Sequence, residues 1–287
     1  MRVLVIGAGL VGTAAAATLR DRGHHVTGTT TTPAKVDGLS TLFDEVVVLR
    51  GADREAVHAH VSEADAVVVT AGPSAARAMT PEDRAATYHE ILVATAESVT
   101  SAPGSPHLVA LSSLSVYGDA SDHLDAVTED SPVTTSSDPS PSRFLAMEAT
   151  YLDAAGDRAT VFRCGDIFGA DDPPIETKVA MAHQYLGGSV PFGADALFYR
   201  LSVDDAADAI VHAVENRTVG LFNLTHPELP PRNGEIFDVI GASQGLPGLT
   251  YRGEIAAPSA PISVARLADT GFVARRSYVA HPLLEQV

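Results

Sequence analysis

Apolar positions along the chain fall into short runs of aliphatic and β-branched residues, and between them lie longer stretches with helical spacing. Arg2 to Ile6 is one such run. It stops at a glycine turn, and Thr13 to Leu19 beyond the turn are alanine-rich helix formers. The alternation then repeats. His25 to Thr29, Glu45 to Leu49, Ala66 to Thr70 and His107 to Ser112 read as strands, with helices over Asp53 to Glu63 and from Pro81 to about Thr100. Thr80-Pro81-Glu82-Asp83 gives the second of these helices its start: an N-cap, a proline at the first helical position and two acids in the first turn. Further on, Pro141 to Asp153, Ile175 to Leu186, Asp204 to Glu215 and Asn233 to Ala242 read as helices and Gly220 to Leu224 as a strand. Asp166 to Pro174 reads as a loop, and Ile262 to Gly271 as a short helix with a terminal glycine.

Strands that alternate with helices predict an α/β fold with a smaller C-terminal lobe; together with the glycine turn and the resemblance carried by the later motifs, this makes the expected fold a Rossmann-like doubly wound parallel sheet of order 3-2-1-4-5-6-7. The expected division is a dinucleotide-binding domain over 1–165, with 201–225 returning to the sheet. Residues 166–200 and 226–287 form the substrate-binding lobe, rich in prolines and long loops. No internal repeat or low-complexity tract is present.

The first turn gives this architecture a function. Gly7-Ala8-Gly9-Leu10-Val11-Gly12 links a strand to a helix. A dinucleotide requires such spacing: Gly7 permits the tight turn, Gly9 lets the backbone approach the pyrophosphate, and Gly12 lets helix and strand pack closely. The helix start at Leu10 and Val11 then faces the phosphates with unpaired N–H groups and the positive end of its dipole. A secretory leader is a poor reading of the same stretch, because its basic region is the single Arg2 and three glycines break its apolar run.

Composition narrows the partners. Nineteen basic and thirty-six acidic residues among 287 give a formal charge of −17, which disfavours nucleic acid and anionic membrane surfaces. No apolar stretch is long enough to span a bilayer. The one cysteine, Cys164, excludes an internal disulfide and suits a reducing cytoplasm. His58 and His60 are not a metal pair, since two residues apart on a helix they point in nearly opposite directions.

The second strand ends at Thr30, Thr31 and Thr32, with Lys35 close behind. An NAD-selective site carries a carboxylate there for the ribose 2′-OH. Hydroxyls and a cation suit a 2′-phosphate instead, so NADP is expected ahead of NAD; a threonine-rich strand end before a Pro33 turn is the plainer reading. Asp53 lies beyond the third strand, where adenine would rest, and also suits a helix N-cap. Ala71 and Gly72 leave the fourth strand through small side chains that let a cofactor pass.

The fifth strand opens into Ser112-Ser113-Leu114-Ser115-Val116-Tyr117-Gly118-Asp119. This stretch resembles the SSxxVYGD segment of extended short-chain dehydrogenases/reductases, the NAD-dependent epimerase/dehydratase family. Phe162-Arg163-Cys164-Gly165-Asp166-Ile167-Phe168-Gly169 is similar to its R-x-G-x-I-Y-G, and Ser202-Val203-Asp204-Asp205-Ala206 to its V-D-D helix start. The resemblance covers about residues 1 to 225. It implies that Ser113 is the active-site serine that donates to the substrate oxygen, that Tyr117 stands near the substrate, and that Ser112 and Cys164 border the cofactor. It also suggests a homodimer through the helices Pro81 to Thr100 and Pro141 to Asp153, with Ala85, Ile91, Leu145 and Met147 in the contact.

One feature of the family is missing. Its acid/base pair is Tyr with Lys four residues on, then Glu four further along. With Glu148 as that glutamate, Phe144 and Ser140 fall at the lysine and tyrosine positions, and no YxxxK exists anywhere in the chain. The phenol of such a pair moves the proton and the ammonium lowers its pKa, so losing that help typically costs ~10²–10⁴ in rate. Arg143, beside the lost lysine, stays charged and cannot serve as a base. The expected function is an NADP-dependent reductase, dehydrogenase or isomerase acting on a small carbonyl, alcohol or sugar-type substrate. The alternative is a catalytically silent NADP-binding sensor or scaffold.

Overall fold

The computed structural model describes residues 1–73, 80–120, 122–170, 172–255 and 257–276. Its chain order is β1 (Arg2–Ile6), α1 (Leu10–Asp21), β2 (His25–Thr30), α2 (Val36–Leu39), β3 (Glu45–Val48), α3 (Arg54–Val61) and β4 (Ala66–Val69). Then come α4 (Pro81–Tyr88), α5 (Thr95–Thr100), β5 (His107–Ser113), α6 (Pro139–Ala155), β6 (Ala159–Cys164) and β7 (Asp166–Phe168). α7 (Ile175–Leu186), β8 (Ser189–Phe192), β9 (Arg200–Ser202), α8 (Val203–Asn216), β10 (Gly220–Leu224), α9 (Asn233–Ser243), β11 (Thr250–Ile255) and α10 (Ala265–Ala268) complete it.

Seven strands form one parallel sheet in the order β10-β6-β5-β4-β1-β2-β3. This is the expected doubly wound order, with β10 as the seventh strand. Every residue of β4 and of β6 is buried, as a strand covered by helices on both faces requires. One apolar layer packs α1 and α8 onto the sheet through Leu19, Val26, Phe162, Ile210 and Val214; the opposite layer packs α3, α5 and α6 through Val57, Leu92, Val99, Met147 and Tyr151.

The reversal of strand order at β1/β4 opens a crevice above the carboxyl ends of these strands, the position at which doubly wound sheets hold ligands. Small pairs of strands lie outside the large sheet, β7 with β9 and β8 with β11. α7 and α9 share an apolar cluster of Ile175, Val179, Ile236, Phe237 and Ile240.

Two expectations change. Asp166 to Phe168 is a strand rather than part of a loop, because β9 returns beside it in register. Met147 is 2% exposed and packs on its own sheet, while Ile91 and Leu145 are half-buried against apolar clusters of the same chain. Met147 therefore cannot present a face to a second copy. Among the described residues no helix is long and apolar enough to cross a membrane, and no group of three or more His, Cys, Asp or Glu could hold a metal.

Candidate functional site

β1 ends at Ile6 and the chain turns at Gly7, whose φ of 108° is closed to ordinary side chains. A Cβ there would also stand 2.6 Å from Ala71 N. Gly12 is buried where α1 crosses the strand, and a Cβ on it would lie 2.2 Å from Gly7 O and 2.8 Å from Thr70 Oγ1. Gly9 is different. It is exposed, its φ of −95° suits any residue, and nothing stands within 4 Å of an added Cβ. The fold requires Gly7 and Gly12 but places no demand on Gly9, where bare backbone faces open space.

The turn is braced before any ligand arrives. Gly7 N donates to Thr29 Oγ1 at 3.1 Å, Ala8 N to Thr29 O at 2.8 Å, and Thr70 Oγ1 to Gly7 O at 2.7 Å. α1 has no side-chain N-cap and no acid in its first turn. By contrast, Asp53, Thr80, Asp138 and Ser202 cap α3, α4, α6 and α8. The positive end of α1 is thus left for an anion. Leu10, 47% exposed, sits there against Gly169, and Val11 packs on the core. These residues fit the pyrophosphate of a dinucleotide.

Thr30 closes β2 and its hydroxyl accepts from Thr32 N at 3.2 Å, a local turn bond. Thr31, Thr32 and Lys35 are exposed beyond it. No carboxylate occurs between Thr29 and Lys35. Asp53 takes the N-cap role, accepting from Ala56 N at 3.3 Å, while remaining exposed. Ala71 N donates to Ile6 O at 3.0 Å, and Gly72 is exposed above the strand ends.

Ser113 is the last residue of β5 and is half-buried. Its oxygen accepts from Ser115 N at 3.1 Å, which leaves its own O–H to donate. Ser112, one residue earlier, points the other way. It is buried and donates to Glu148 Oε1 at 2.5 Å, so its hydroxyl is spent within the protein. Glu148 is clamped by Arg163 at 2.6 Å (Nη2 to Oε2) and 3.0 Å (Nε to Oε1), with both side chains about 5% exposed or less. The family's glutamate here neutralises a buried arginine.

Tyr117 and Cys164 are also withdrawn from the site. Tyr117 is fully buried, its hydroxyl donates to Asn223 Oδ1 at 2.6 Å, and the Arg163 guanidinium lies 4.8 Å from its ring. Burial pushes its phenol above the ordinary tyrosine range, so it is a poor proton donor; it packs. Cys164 pairs with Ser113 in the sheet, but its thiol is buried and its pKa is pushed up by that burial. On α6, Ser140 is half-buried in the first turn and Phe144 packs into two apolar clusters. Arg143 Nε is buried with no hydrogen-bond partner among the described residues.

A charged group at the head of the Asp166 to Pro174 stretch, one of the two segments (with Asp119 to Ser140) in which the sequence places an ionisable replacement for the missing Tyr and Lys, borders the same strand ends. Asp166 follows Gly165, two residues after Cys164, and pairs with Arg200 across β7 and β9. Arg200 Nε is 3.4 Å from Asp166 Oδ2, and Arg200 Nη2 is 2.9 Å from Asp172 Oδ2. Lys178 Nζ holds the same Asp172 oxygen at 3.0 Å, and the Arg200 guanidinium stacks 4.2 Å from the Phe168 ring. The one available sequence signal was a carboxylate directly after the glycine of the R-x-G segment.

Residues 3–224 match the family model described as NAD dependent epimerase/dehydratase family. No curated protein matches the chain. Among solved structures, a short-chain dehydrogenase/reductase superfamily protein from Agrobacterium tumefaciens with bound NAD is 20% identical. It covers 100% of this chain and 95% of its own, with a TM-score of 0.73. A UDP-glucose 4-epimerase from Thermus thermophilus in complex with NAD is 21% identical over 97% of this chain and 95% of its own, with a TM-score of 0.74. A dTDP-4-dehydrorhamnose reductase from Clostridium acetobutylicum is 15% identical over 100% and 98%, with a TM-score of 0.73. At these identities the likeness is one of fold.

Proposed function

Because the chain belongs to the NAD-dependent epimerase/dehydratase family, we propose that it binds a nicotinamide dinucleotide along Gly7–Gly12 and acts as an oxidoreductase or isomerase on a small carbonyl, alcohol or sugar-type substrate. The observation that carries this reading is the exposed, unconstrained Gly9 beside a helix start that no side chain caps. When bound, the dinucleotide supplies a hydride acceptor or donor. The protein's own contribution at the reacting oxygen is the Ser113 hydroxyl, held by Ser115 N with its proton free to donate. A fixed donor aimed at a developing oxyanion is worth ~3 kcal/mol.

NADP is the finer part of the proposal. It rests on Thr30 standing where a carboxylate would repel a 2′-phosphate, and on Lys35 exposed nearby. The solved relatives with NAD bound argue for the other cofactor, so the preference requires its own test. Fluorescence titration with both reduced cofactors should show tighter NADPH binding, and Thr30→Asp should move the preference toward NADH. A clear NADH preference in the unmodified protein would remove this part alone.

A redox sensor is the second reading, favoured by Ser140 and Phe144 at the positions of the family's tyrosine and lysine. Deuteride transfer from labelled NADPH or NADH to a panel of carbonyls, sugars and a metabolite extract separates the two. Transfer that falls ~10²-fold in Ser113→Ala, with cofactor affinity unchanged, supports the enzyme. No transfer to any acceptor favours the sensor.

A further inference from the structure

Ser113 can donate a hydrogen bond, but a hydroxyl cannot by itself absorb the proton that an alcohol loses on oxidation. Some other group near it must exchange that proton. Glu148 is clamped by Arg163, and Tyr117 is sealed in the core on Asn223. Glu129 is buried and accepts from Asn223 N at 2.7 Å. His226, past the end of β10, is buried and accepts from Glu228 N.

Asp166 is placed differently. Ser113 and Cys164 are partners across β5 and β6, and Asp166 follows Cys164 by two residues, within ~7 Å along the chain. β7 then runs from this point toward the glycine turn, since Gly169 at its far end lies against Leu10. Asp166 therefore lies at the strand ends, on the segment that leads from the serine's sheet partner toward the dinucleotide loop. Its side chain keeps 63% of its accessible area, so a substrate and water both reach it.

We propose that Asp166 is the catalytic acid/base that replaces the family's missing tyrosine and lysine, exchanging a proton with the substrate oxygen to which Ser113 donates. The inference rests on the reading of the protein as a dinucleotide enzyme. In the oxidising direction the substrate O–H proton passes to the Asp166 carboxylate. The substrate C–H hydrogen leaves with its electron pair for the bound nicotinamide, and the C–O bond becomes double. Reduction reverses each step: the carbon receives hydride, the carbonyl oxygen takes the proton from Asp166, and water returns one to the carboxylate.

The surroundings suit this role. Among the described residues, the charged groups facing Asp166 are Arg200 on β9, Lys178 on α7 and Asp172 before α7. The protein packed around one side of the carboxyl raises its pKa even though its other side is open to water; Arg200 and Lys178 oppose this, Asp172 adds to it, and the net direction is upward. Arg200 contacts both carboxyls, Asp172 at 2.9 Å and Asp166 at 3.4 Å. A raised carboxyl pKa moves a group toward the range useful in proton exchange at neutral pH.

The test uses the full chain labelled with [γ-13C]aspartate, and Asp166→Asn to assign the signal. An acid/base at the reacting oxygen lies near the nicotinamide, which is positively charged only when oxidised. The Asp166 titration midpoint should therefore be at least ~0.5 pH unit lower with the oxidised cofactor than with the reduced one. Asp166→Asn should keep its thermal midpoint and cofactor affinity while losing ~10²-fold or more of deuteride transfer, with Asp166→Glu restoring part of it. Equal midpoints in the two cofactor complexes would overturn the proposal, as would undiminished transfer by a folded Asp166→Asn; either result leaves the dinucleotide reading intact. Failure of the unmodified protein to bind either cofactor overturns that reading and the proposal with it.

Discussion

His107 opens β5 with its imidazole 2% exposed, close to Thr160 Oγ1 at 3.3 Å. Burial, followed by the charge of Arg217, lowers its pKa from 6.5 to about 4. The folded protein therefore holds it neutral over a range in which the unfolded chain protonates it. Between about pH 6.5 and 4 the unfolded state binds the extra proton, so stability falls as pH falls through this window, by on the order of 3 kcal/mol in all. Urea unfolding at pH 7 and pH 5 should show a larger loss in the unmodified protein than in His107→Gln. Equal losses would contradict the assignment. Nothing in the sequence around His107 announced this burial, because it follows from the strands and helices that cover it. Ser112 and Ser113 make the same point. They are neighbours of one residue type, and only the strand's alternation sends the first to Glu148 and leaves the second at the site.

The long helix expected over Pro81 to Thr100 is present, but His89–Ala94 within it is wound as a π-helix. Thr95 Oγ1 bonds back to Glu90 O at 3.4 Å, five residues earlier, and the Thr95 side chain fits against Gly51, where a Cβ would overlap it at 2.3 Å. Apolar periodicity locates a helix but cannot reveal one extra residue per turn. The short strands β7 and β9 were equally hidden, since three residues each carry too little pattern to separate them from loop. What the pattern did specify was the β1–α1 unit, where glycine spacing and strand-to-helix contact agree. Gly12→Ala tests that contact. The added methyl meets Gly7 O and Thr70 Oγ1, neither of which is the free end of a long side chain. The expected cost is ~1–3 kcal/mol in chemical unfolding. An unchanged midpoint would show that α1 and β1 are less closely packed than described.

At the scale of the molecule, a chain of net charge −17 holds an anionic cofactor only if the local field at the strand ends differs from the average. The uncapped start of α1 supplies such a field, and Lys35 is an exposed cation just past the end of β2. The α/β class was legible from alternation and the sheet order from the glycine turn and the later motifs, whereas the placement of Asp166 beside Arg200 required β7 and β9, far apart in the chain, to pair. Cofactor binding at the strand ends depends on the glycine turn. Calorimetric titration of NADPH and NADH into the protein and into Gly9→Val tests it most directly, because the fold leaves open space at Gly9. The variant should unfold at the same temperature as the parent yet bind the preferred cofactor ~100-fold more weakly, about 2.7 kcal/mol. Equal affinity in parent and variant, or no binding by the parent, would contradict the account.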